Sequence, residues 1–375
     1  MVKLLFSGDF APLLEPEDLG SDHFFDLQEY MKNVDLHITN LETPLTNSQA
    51  SIEKSGPALK SPPGAIELLK QAHVGLACLA NNHIYDFGSQ GILDTVDICK
   101  KNQITTLGII NRPDGQDPYV IKRIQNIRVG FVNFCEHEFS VNGPEKLGAY
   151  GYDDIESFYL LTKLRVEVDY LIVLYHGGNE YYHLPSPAMK KTFQFLADLG
   201  ADAVIAHHSH VYSGFEIYKG KPLIYGLGNF FFPYEGEPDH WHSAVLCELE
   251  LTEQLGFRLL PVSQCKNEKR TQFQDEETKK AVLKDIDRLS LIISREDMLK
   301  KQWEEYIQRT GPELVKRFLY SNKIERALSR FTASKTVMEV AMNSRRRALA
   351  LNNIIRCQSL RNVVLYGFKQ LQDDK

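Results

Sequence analysis

Residues 203–210 read AVIAHHSH, a run of four apolar residues followed at once by a histidine-rich turn. The apolar run is typical of a strand that is buried on both faces of a sheet. His208 and His210 are two residues apart just beyond the end of this strand, so both imidazoles can turn toward one centre. The segment therefore predicts a sheet with a metal-binding site at the carboxyl end of its strands.

Five other polar clusters also follow predicted strands directly. In α/β proteins, ligands bind beyond the carboxyl ends of the strands, where loops that are far apart in sequence converge in space. A buried strand supplies rigidity, and the loop exposes the polar group. The five clusters are Gly8-Asp9, Asn40-Leu41-Glu42, Asn81-Asn82-His83 with Asp86, His176-Gly177-Gly178 with Glu180, and Gly226-Leu227-Gly228-Asn229-Phe230.

The first 264 residues alternate between strand-like and helix-like patterns, which predicts an α/β fold of layered sheets and helices. Two segments, 119–135 and 244–262, read as hairpins, so we expect mixed sheets and not purely parallel ones. After Gln264 the pattern changes to helix-forming residues with apolar positions three and four apart. We expect helices over residues 275–290, 295–309, 312–320 and 324–360.

The net charge of −6 is divided unevenly along the chain. Residues 1–264 carry 19 Lys or Arg and 34 Asp or Glu, whereas residues 265–375 carry 24 and 15. A reversal of charge at one point predicts a domain boundary there. We therefore expect a body at 1–264 and a separable, basic α-helical appendage at 265–375. The appendage either presents a solvated face or docks on an acidic partner or on the acidic body.

The composition excludes several classes of protein. With 43% hydrophobic and 25% charged residues, the 375-residue chain is neither disordered nor collagen-like. The chain has no run of 18 apolar residues, and its first residues do not read as a signal peptide, so we expect no direct membrane insertion. The six cysteines are scattered without a regular spacing, which favours free thiols and a cytoplasmic location.

The side chains in the clusters define the chemistry of the predicted site. Asp9 and Glu42 supply carboxylates, Asn82 supplies an amide, and several histidines supply imidazoles. Mixed oxygen and nitrogen donors without cysteine favour divalent Mn, Fe, Zn or Mg over a structural thiolate zinc site. Each cluster alone also has a structural interpretation: Asp9 as a turn cap, His83 and His176 as core histidines, and Glu42 as an exposed charge. Together they favour a divalent metal site with one or two ions per chain.

At these positions the sequence resembles the CapA family of capsule and poly-γ-glutamate biosynthesis proteins, which is similar to the calcineurin-like metallophosphoesterases. The resemblance covers about residues 1–250 and leaves out the helical appendage. It implies a four-layer α-β-β-α sandwich with a two-metal centre at one edge. The motifs that carry it are FSGD (6–9), NLE (40–42), ANNH (80–83) with Asp86 and Gly88, HGGNEY (176–181), HHSHV (207–211) with Gly214 and Glu216, and YGLGNF (225–230).

The resemblance also implies a role for each residue of the site. Asp9 would bind one metal, Glu42 would bridge or bind both, and His83 would lie beside them, unligated, as a general acid or a charge stabiliser. Asp86 and Glu180 would orient the histidines. The second metal would be held by Asn82, His176 and His208, the first would gain His210, and Asn40, His207 and Asn229 would support the ligands or contact the substrate.

The sequence departs from the metallophosphoesterase pattern at two positions. That pattern begins Asp-x-His, but this chain reads Asp9-Phe10-Ala11, so one imidazole is missing and the first metal should be held less tightly. The usual Gly-His-His-Pro-His becomes AHHSH at residues 206–210, which keeps the spacing of the two ligand histidines. We therefore expect one metal that is retained and one that is readily lost.

Three functional hypotheses follow. The first is a metal-dependent hydrolase, in which a metal-bound hydroxide attacks a phosphoester or a γ-glutamyl or related bond of a small molecule or polymer in capsule metabolism. The second is a non-catalytic, metal-binding accessory subunit of a capsular polymer synthesis or export complex, docked on a capsule-synthesis protein through the helical tail. The third, nucleic-acid cleavage, is disfavoured by the acidic body, so we expect no nucleic-acid partner.

Overall fold

The structure, a computed structural model, describes residues 1–143, 145–234, 236–252, 255–319 and 345–373. The strands are β1 (Val2–Phe10), β2 (Leu36–Leu41), β3 (Val74–Cys78), β4 (Thr105–Leu107), β5 (Ile109–Ile110), β6 (Tyr119–Ile124), β7 (Ile127–Cys135), β8 (Gly148–Ala149), β9 (Tyr170–His176), β10 (Ala203–His207), β11 (Phe215–Tyr218), β12 (Lys221–Ile224), β13 (Asn229–Phe231), β14 (Ser243–Leu251), β15 (Gly256–Gln264) and β16 (Thr271–Phe273). The helices are α1 (Phe25–Lys32), α2 (Ile66–Gln71), α3 (Gly88–Lys101), α4 (Asp154–Arg165), α5 (Pro187–Asp198), α6 (Glu276–Ser294), α7 (Glu296–Leu319), α8 (Arg345–Arg356) and α9 (Gln358–Asp373).

Most of the strands belong to two large sheets. The first has eight strands in the order β16-β15-β14-β1-β2-β3-β4, with β13 paired to β1. The second has six strands in the order β11-β12-β10-β9-β7-β6, and β5 pairs separately with β8. Both sheets are mixed, because β1 is antiparallel to β14 but parallel to β2, and β7 is antiparallel to β6 but parallel to β9.

Three buried apolar clusters join the sheets and helices into layers. Between the sheets, Leu4 and Phe6 of β1 share a cluster with Ile172 and Leu174 of β9. A second cluster lies between the first sheet and α1, α2 and α3, and a third lies between the second sheet and α4, α5 and α6. Because side chains alternate along a strand, Val173 points to the third cluster. The predicted four-layer α-β-β-α sandwich with mixed sheets is confirmed.

The boundary predicted after residue 264 does not separate two units. Strand β16 pairs with β15 at the edge of the first sheet. Helix α6 buries Val282 and Ile286 in the cluster between the sheets, and Leu289 and Ile292 in the cluster outside the second sheet. The body therefore extends at least to Ser294, the end of α6. The charged residues of α6 are balanced in sign, and its apolar face completes the core, so the change in net charge along the sequence does not coincide with an edge of the core.

The remaining helices form the C-terminal part of the predicted appendage. The helices predicted over 295–309 and 312–320 are one helix, α7, as far as Leu319. Residues 320–344, which include more than half of the helix predicted over 324–360, lie outside the described residues. Where the description resumes, α8 and α9 follow, and α9 packs on α7 through Val363, Trp303 and Ile307.

The structure also bears on two expectations, one about membrane insertion and one about the cysteines. Among the helices that the structure describes, none combines the length and hydropathy needed to cross a bilayer. All six cysteines are free thiols, and five of them are buried. A cytoplasmic location stays a prediction.

Candidate metal centre

The predicted ligands lie where strands end. Asp9 is the penultimate residue of β1, Glu42 follows β2 directly, and His176 is the last residue of β9. His208 follows β10, which ends at His207. Because β1 runs parallel to β2 and β9 runs parallel to β10, the four side chains meet at one edge of the sandwich.

The side chains form two groups of candidate metal ligands that share Glu42. In the first group, ligand atoms of Glu42, His176 and His208 all lie within 4.8 Å of one another. In the second group, the same limit holds for Asp9, Glu42 and His210. All five side chains are buried. The structure therefore brings together the five charged or imidazole ligands predicted from the sequence, with the shared carboxylate between them.

Around His176, the first group has four protein donors in all. Nε2 of this ring lies 3.1 Å from Oδ1 of Asn82, 3.1 Å from Nδ1 of His208 and 3.8 Å from Oε1 of Glu42. Its Nδ1 lies 3.2 Å from the amide nitrogen of Asn40. Two imidazoles, an amide oxygen and a carboxylate that converge in this way form a suitable donor set for a divalent ion.

The second group has three protein donors. Nδ1 of His210 lies 3.4 Å from Oδ2 of Asp9, and Nε2 lies 3.9 Å from Oε1 of Glu42. The Asp9 carboxylate accepts a hydrogen bond of 2.8 Å from the side chain of Asn40 and one of 3.1 Å from the backbone N–H of His208. Asn40 therefore contacts a ligand of each group and fixes their relative position.

Ala11 stands where the metallophosphoesterase pattern has a histidine. Its methyl group lies in a small buried cluster with Leu59, Phe232 and Trp241. The Trp241 ring also packs on His210, with ring centroids 4.7 Å apart. An imidazole at position 11 would have to displace this cluster, so the sequence departure has a structural counterpart and the second group keeps three protein ligands.

The surroundings of the Glu42 carboxylate indicate whether the donor set fits a cation. Both of its oxygens are buried and have no hydrogen-bond partner among the described residues. Burial raises the pKa of Glu42 well above its ordinary value, and the charge of Asp9 adds to this shift. A buried carboxylate without donors costs free energy unless a positive charge compensates it. Metal ions shared between the two groups would provide that charge, so the residues fit the expected cofactor.

The histidines differ in their preferred protonation. Burial lowers the pKa of His176 well below its ordinary value, and the neighbouring His208 adds to this shift, which leaves the neutral form that binds metals. Burial also lowers the pKa of His210, but the charges of Glu42 and Asp9 outweigh burial and raise it to about 10. Without metal, His210 and Asp9 therefore form a buried ion pair, and metal binding would release the proton.

His83 lies beside the two groups and belongs to neither. Its Nδ1 lies 2.7 Å from Oδ2 of Asp86 and 3.2 Å from Nζ of Lys54. Asp86 also accepts hydrogen bonds of 2.5 Å from the Lys54 ammonium and 2.7 Å from the backbone N–H of Leu59. The hydrogen bond to Asp86 holds the ring in place. Because the His83 side chain is 12% exposed, the ring still reaches the surface. This arrangement leaves Nε2 as the nitrogen for proton exchange.

Three further predicted residues lie around the centre in different settings. Asn229 places Oδ1 3.0 Å from Nδ1 of His210. His207 is buried, and its Nε2 lies 3.2 Å from the carbonyl oxygen of Ser7 in β1. Glu180 is exposed, and no hydrogen bond joins it to a ligand histidine in the described part of the chain. The side chains of Asn40 and Asn229 therefore contact the ligand histidines, a role that the resemblance implied for Glu180.

Asn81 and Lys54 also support the centre, although the sequence motifs do not assign them a role. The Asn81 side chain donates to the carbonyl oxygen of Leu41 at 2.8 Å and to Oδ1 of Asn40 at 3.3 Å. Its own Oδ1 accepts the backbone N–H groups of His83 and of the next residue. The doubled asparagine after β3 is a signal for this role. Lys54 lies in an irregular segment between β2 and α2 without a comparable signal.

A model of the family described as bacterial capsule synthesis protein PGA_cap matches residues 3–234. The chain belongs to this family. The matched residues include every candidate ligand from Asp9 to His210, and they end before α6. The resemblance to capsule and poly-γ-glutamate biosynthesis proteins that the motifs indicated is confirmed.

Curated relatives and solved structures are similar to parts of the chain. The capsule biosynthesis protein CapA of Bacillus anthracis is 27% identical over 223 residues, which are 57% of this chain and 54% of the relative. The PGA biosynthesis protein CapA of Bacillus subtilis (strain 168) is 27% identical over 228 residues, 58% of each chain. The chain thus spans little more than half the length of these relatives. The 5'-nucleotidase precursor from Thermus thermophilus is similar with a TM-score of 0.42 and 14% identity, covering 76% of this chain and 58% of that one.

Proposed function

We propose that this member of the capsule synthesis family is a metal-dependent hydrolase that cleaves a phosphoester or a γ-glutamyl or related bond in a small molecule or polymer. The observation that carries the proposal is the pair of buried donor groups that share Glu42, with His83 beside them. Bound Mn, Fe, Zn or Mg ions would supply a nucleophilic hydroxide at neutral pH and polarise the scissile bond. Membership of the family supports a substrate in capsule or poly-glutamate metabolism.

In this proposal each residue of the chain has a definite task. Asn40 keeps the two ligand groups in register, because its amide nitrogen lies 2.8 Å from Oδ1 of Asp9 and 3.2 Å from Nδ1 of His176. Burial of the ligands removes competing water and strengthens their electrostatic interactions. One ion would be held by Glu42, Asn82, His176 and His208, and the other by Asp9, Glu42 and His210.

His83 would donate the proton that the leaving group needs. The hydrogen bond between Nδ1 and Asp86, whose carboxylate is itself held by Lys54, fixes the ring and leaves Nε2 for the transfer. Because His83 is outside both donor groups, its removal should leave metal binding intact. We expect His83→Ala to keep the metal content of the wild type and to lose activity by about 10²–10⁴-fold.

The test is an assay of the full chain, loaded with Mn²⁺, on a phosphomonoester, a phosphodiester and a γ-glutamyl peptide. The matched control is His73→Ala, which replaces an exposed histidine at the opposite end of β3 and should change nothing. Turnover that depends on both metal and His83 supports the proposal. A fully metal-loaded chain that cleaves none of the three substrates would refute it.

A second candidate function is a non-catalytic, metal-binding accessory subunit of a capsular polymer synthesis or export complex. The apolar cluster around Ala11 favours it, since this cluster leaves the second group with three protein ligands. The basic C-terminal helices would then dock on a capsule-synthesis protein. Full metal content without turnover, together with binding of the chain to purified capsule synthase through these helices, would support this alternative.

A further inference from the structure

Glu136 lies next to the candidate metal centre but belongs to neither ligand group. It follows β7 directly, and its backbone N–H donates to the carbonyl oxygen of His176 at 2.9 Å. This bond continues the pairing of Cys135 with His176 across the second sheet. The Glu136 side chain is buried. Besides Asp9 and Glu42, a further buried carboxylate therefore lies beside a ligand histidine, and its role is not explained by metal binding.

Four donors from two distant parts of the chain satisfy this carboxylate. Oε1 accepts the backbone N–H of Gly178 at 3.1 Å and the hydroxyl of Ser359 at 2.7 Å. Oε2 accepts the backbone N–H of Ser359 at 3.0 Å and the thiol of Cys357 at 3.3 Å. Glu136 thus differs from Glu42, whose oxygens have no partner in the described residues. It joins the loop after β9 to the start of α9.

The two glycines after His176 are suited to this contact. A Cβ atom on Gly177 would lie 2.5 Å from Cγ of Glu136, so a larger residue would push the carboxylate away. Gly178 has a φ of +112°, a left-handed conformation that glycine adopts without strain, and its N–H reaches Glu136 in that conformation. The loop then runs to Tyr181, whose N–H donates to the carbonyl oxygen of Ser209 at 2.8 Å. Both ends of this loop therefore contact ligand segments.

The other side of the contact is the first turn of α9. Backbone N–H groups in the first turn of a helix have no partner within the helix and favour a negative charge. Ser359 is 3% exposed, and it lies 223 residues from Glu136 in sequence. Helix α7 also contacts the segment after β9, because Tyr306 stacks on Tyr182 with ring centroids 4.1 Å apart. The C-terminal helices are therefore built against the loop that follows a ligand strand.

We propose that Glu136 is a positioning residue through which the start of α9 sets the metal affinity of the centre. Ser359 holds the carboxylate, the carboxylate holds Gly178, and the loop between Gly178 and Tyr181 then fixes the segments that carry the ligand histidines. This inference rests on the proposed metal centre but not on the hydrolytic reaction. It gives the C-terminal helices a role within the chain itself.

The test uses the full chain stripped of metal and two measurements that need no substrate. The first is Mn²⁺ affinity by isothermal titration calorimetry, and the second is amide hydrogen exchange of residues 177–181 before metal is added. Ser359→Ala and Glu136→Gln should each weaken Mn²⁺ binding about tenfold, a typical effect of removing a group that supports a ligand, and should speed exchange in the loop. Ser359→Thr, which keeps the hydroxyl, should restore both values.

The matched control is Ser294→Ala, since that hydroxyl donates to a carbonyl of its own helix, α6, and should affect neither measurement. Unchanged Mn²⁺ affinity in both Ser359→Ala and Glu136→Gln would overturn the proposal. So would a Ser359→Thr variant that behaves like Ser359→Ala, which would indicate loss of folding and not loss of the hydroxyl contact. A wild-type chain that binds Mn²⁺ but cleaves nothing would refute the hydrolase proposal and leave this one intact.

Discussion

Replacing Glu42 with methionine should stabilise the metal-free protein and abolish its response to metal. Both carboxylate oxygens of Glu42 are buried without a hydrogen-bond partner in the part of the chain that the structure describes. Desolvating a polar group without a compensating donor costs about 1–3 kcal/mol, and a charged group costs more. An unbranched apolar side chain of similar length should recover about 1–3 kcal/mol of the free energy of unfolding.

The nearby carboxylate of Asp9 makes this effect depend on pH. Its ligand atom lies within 4.8 Å of that of Glu42, and two negative charges at this distance repel by about 3.5 kcal/mol at an effective dielectric constant of about 20. Because the pKa of Glu42 is raised in the folded state, the folded wild type binds this proton more tightly than the unfolded chain. The wild type should therefore lose stability relative to Glu42→Met as the pH rises above 4.5, the ordinary pKa of the group.

The assay is urea unfolding of both proteins at several pH values, first with a chelator and then with saturating Mn²⁺. Mn²⁺ should stabilise the wild type and leave Glu42→Met unchanged, since ligands stabilise only the state that binds them. Glu136→Met is the matched control, because it removes a buried carboxylate that accepts four hydrogen bonds and should destabilise the chain instead. If Glu42→Met destabilises the metal-free protein as much as Glu136→Met does, the reasoning about unpartnered oxygens is wrong.

Three further predictions concern the same edge of the sandwich. Asp9→Ala and His208→Ala should each remove one ion, and Asp9→Ala should remove the weakly held one. Metal analysis that shows the wild-type stoichiometry in either variant would contradict the two-group assignment. Gly177→Ala should lower the free energy of unfolding by about 1–3 kcal/mol, because its Cβ would meet Cγ of Glu136 at 2.5 Å; unfolding at the wild-type denaturant concentration would count against this. Lys54→Met should keep the metal but reduce kcat about tenfold, since Asp86, which holds the proposed general acid His83, loses a donor at 2.5 Å. An unchanged kcat would exclude that role for Lys54.

The candidate metal centre was predictable because its candidate ligands share one simple property, their position at the ends of buried strands. Asp9, Glu42, His176 and His208 all follow apolar runs, and parallel pairing brings such positions together whatever their separation in sequence. The three-donor second group was also expected, since Ala11 stands where the metallophosphoesterase pattern has a histidine, and its weaker metal binding stays a prediction. The layered fold was predictable for the same reason, because continuous apolar runs require cover on both faces.

The contacts of the C-terminal helices were not predictable in this way. The apolar face of α6 has the same period whether it packs on its own body or on another protein. The change in periodicity and the charge reversal therefore suggested a boundary that the core does not have. Glu136 also follows a strand, but in a run that reads Cys-Glu-His-Glu it looks like an ordinary exposed loop charge. Its partner Ser359 is 223 residues away, and no local pattern links them.

The place of β1 in the first sheet has a consequence for folding during synthesis. This strand is synthesised long before its partner β14, yet it lies inside the sheet, with Val2 opposite Leu251 of β14. At roughly 5–20 residues per second, the edge of β1 that β14 covers would stay open for about 10–50 s of synthesis. An open strand edge is a template for pairing with other chains. Yield in a cell should therefore depend on chaperones that shield nascent strands, and a slower ribosome should increase aggregation without any change in the stability of the finished fold.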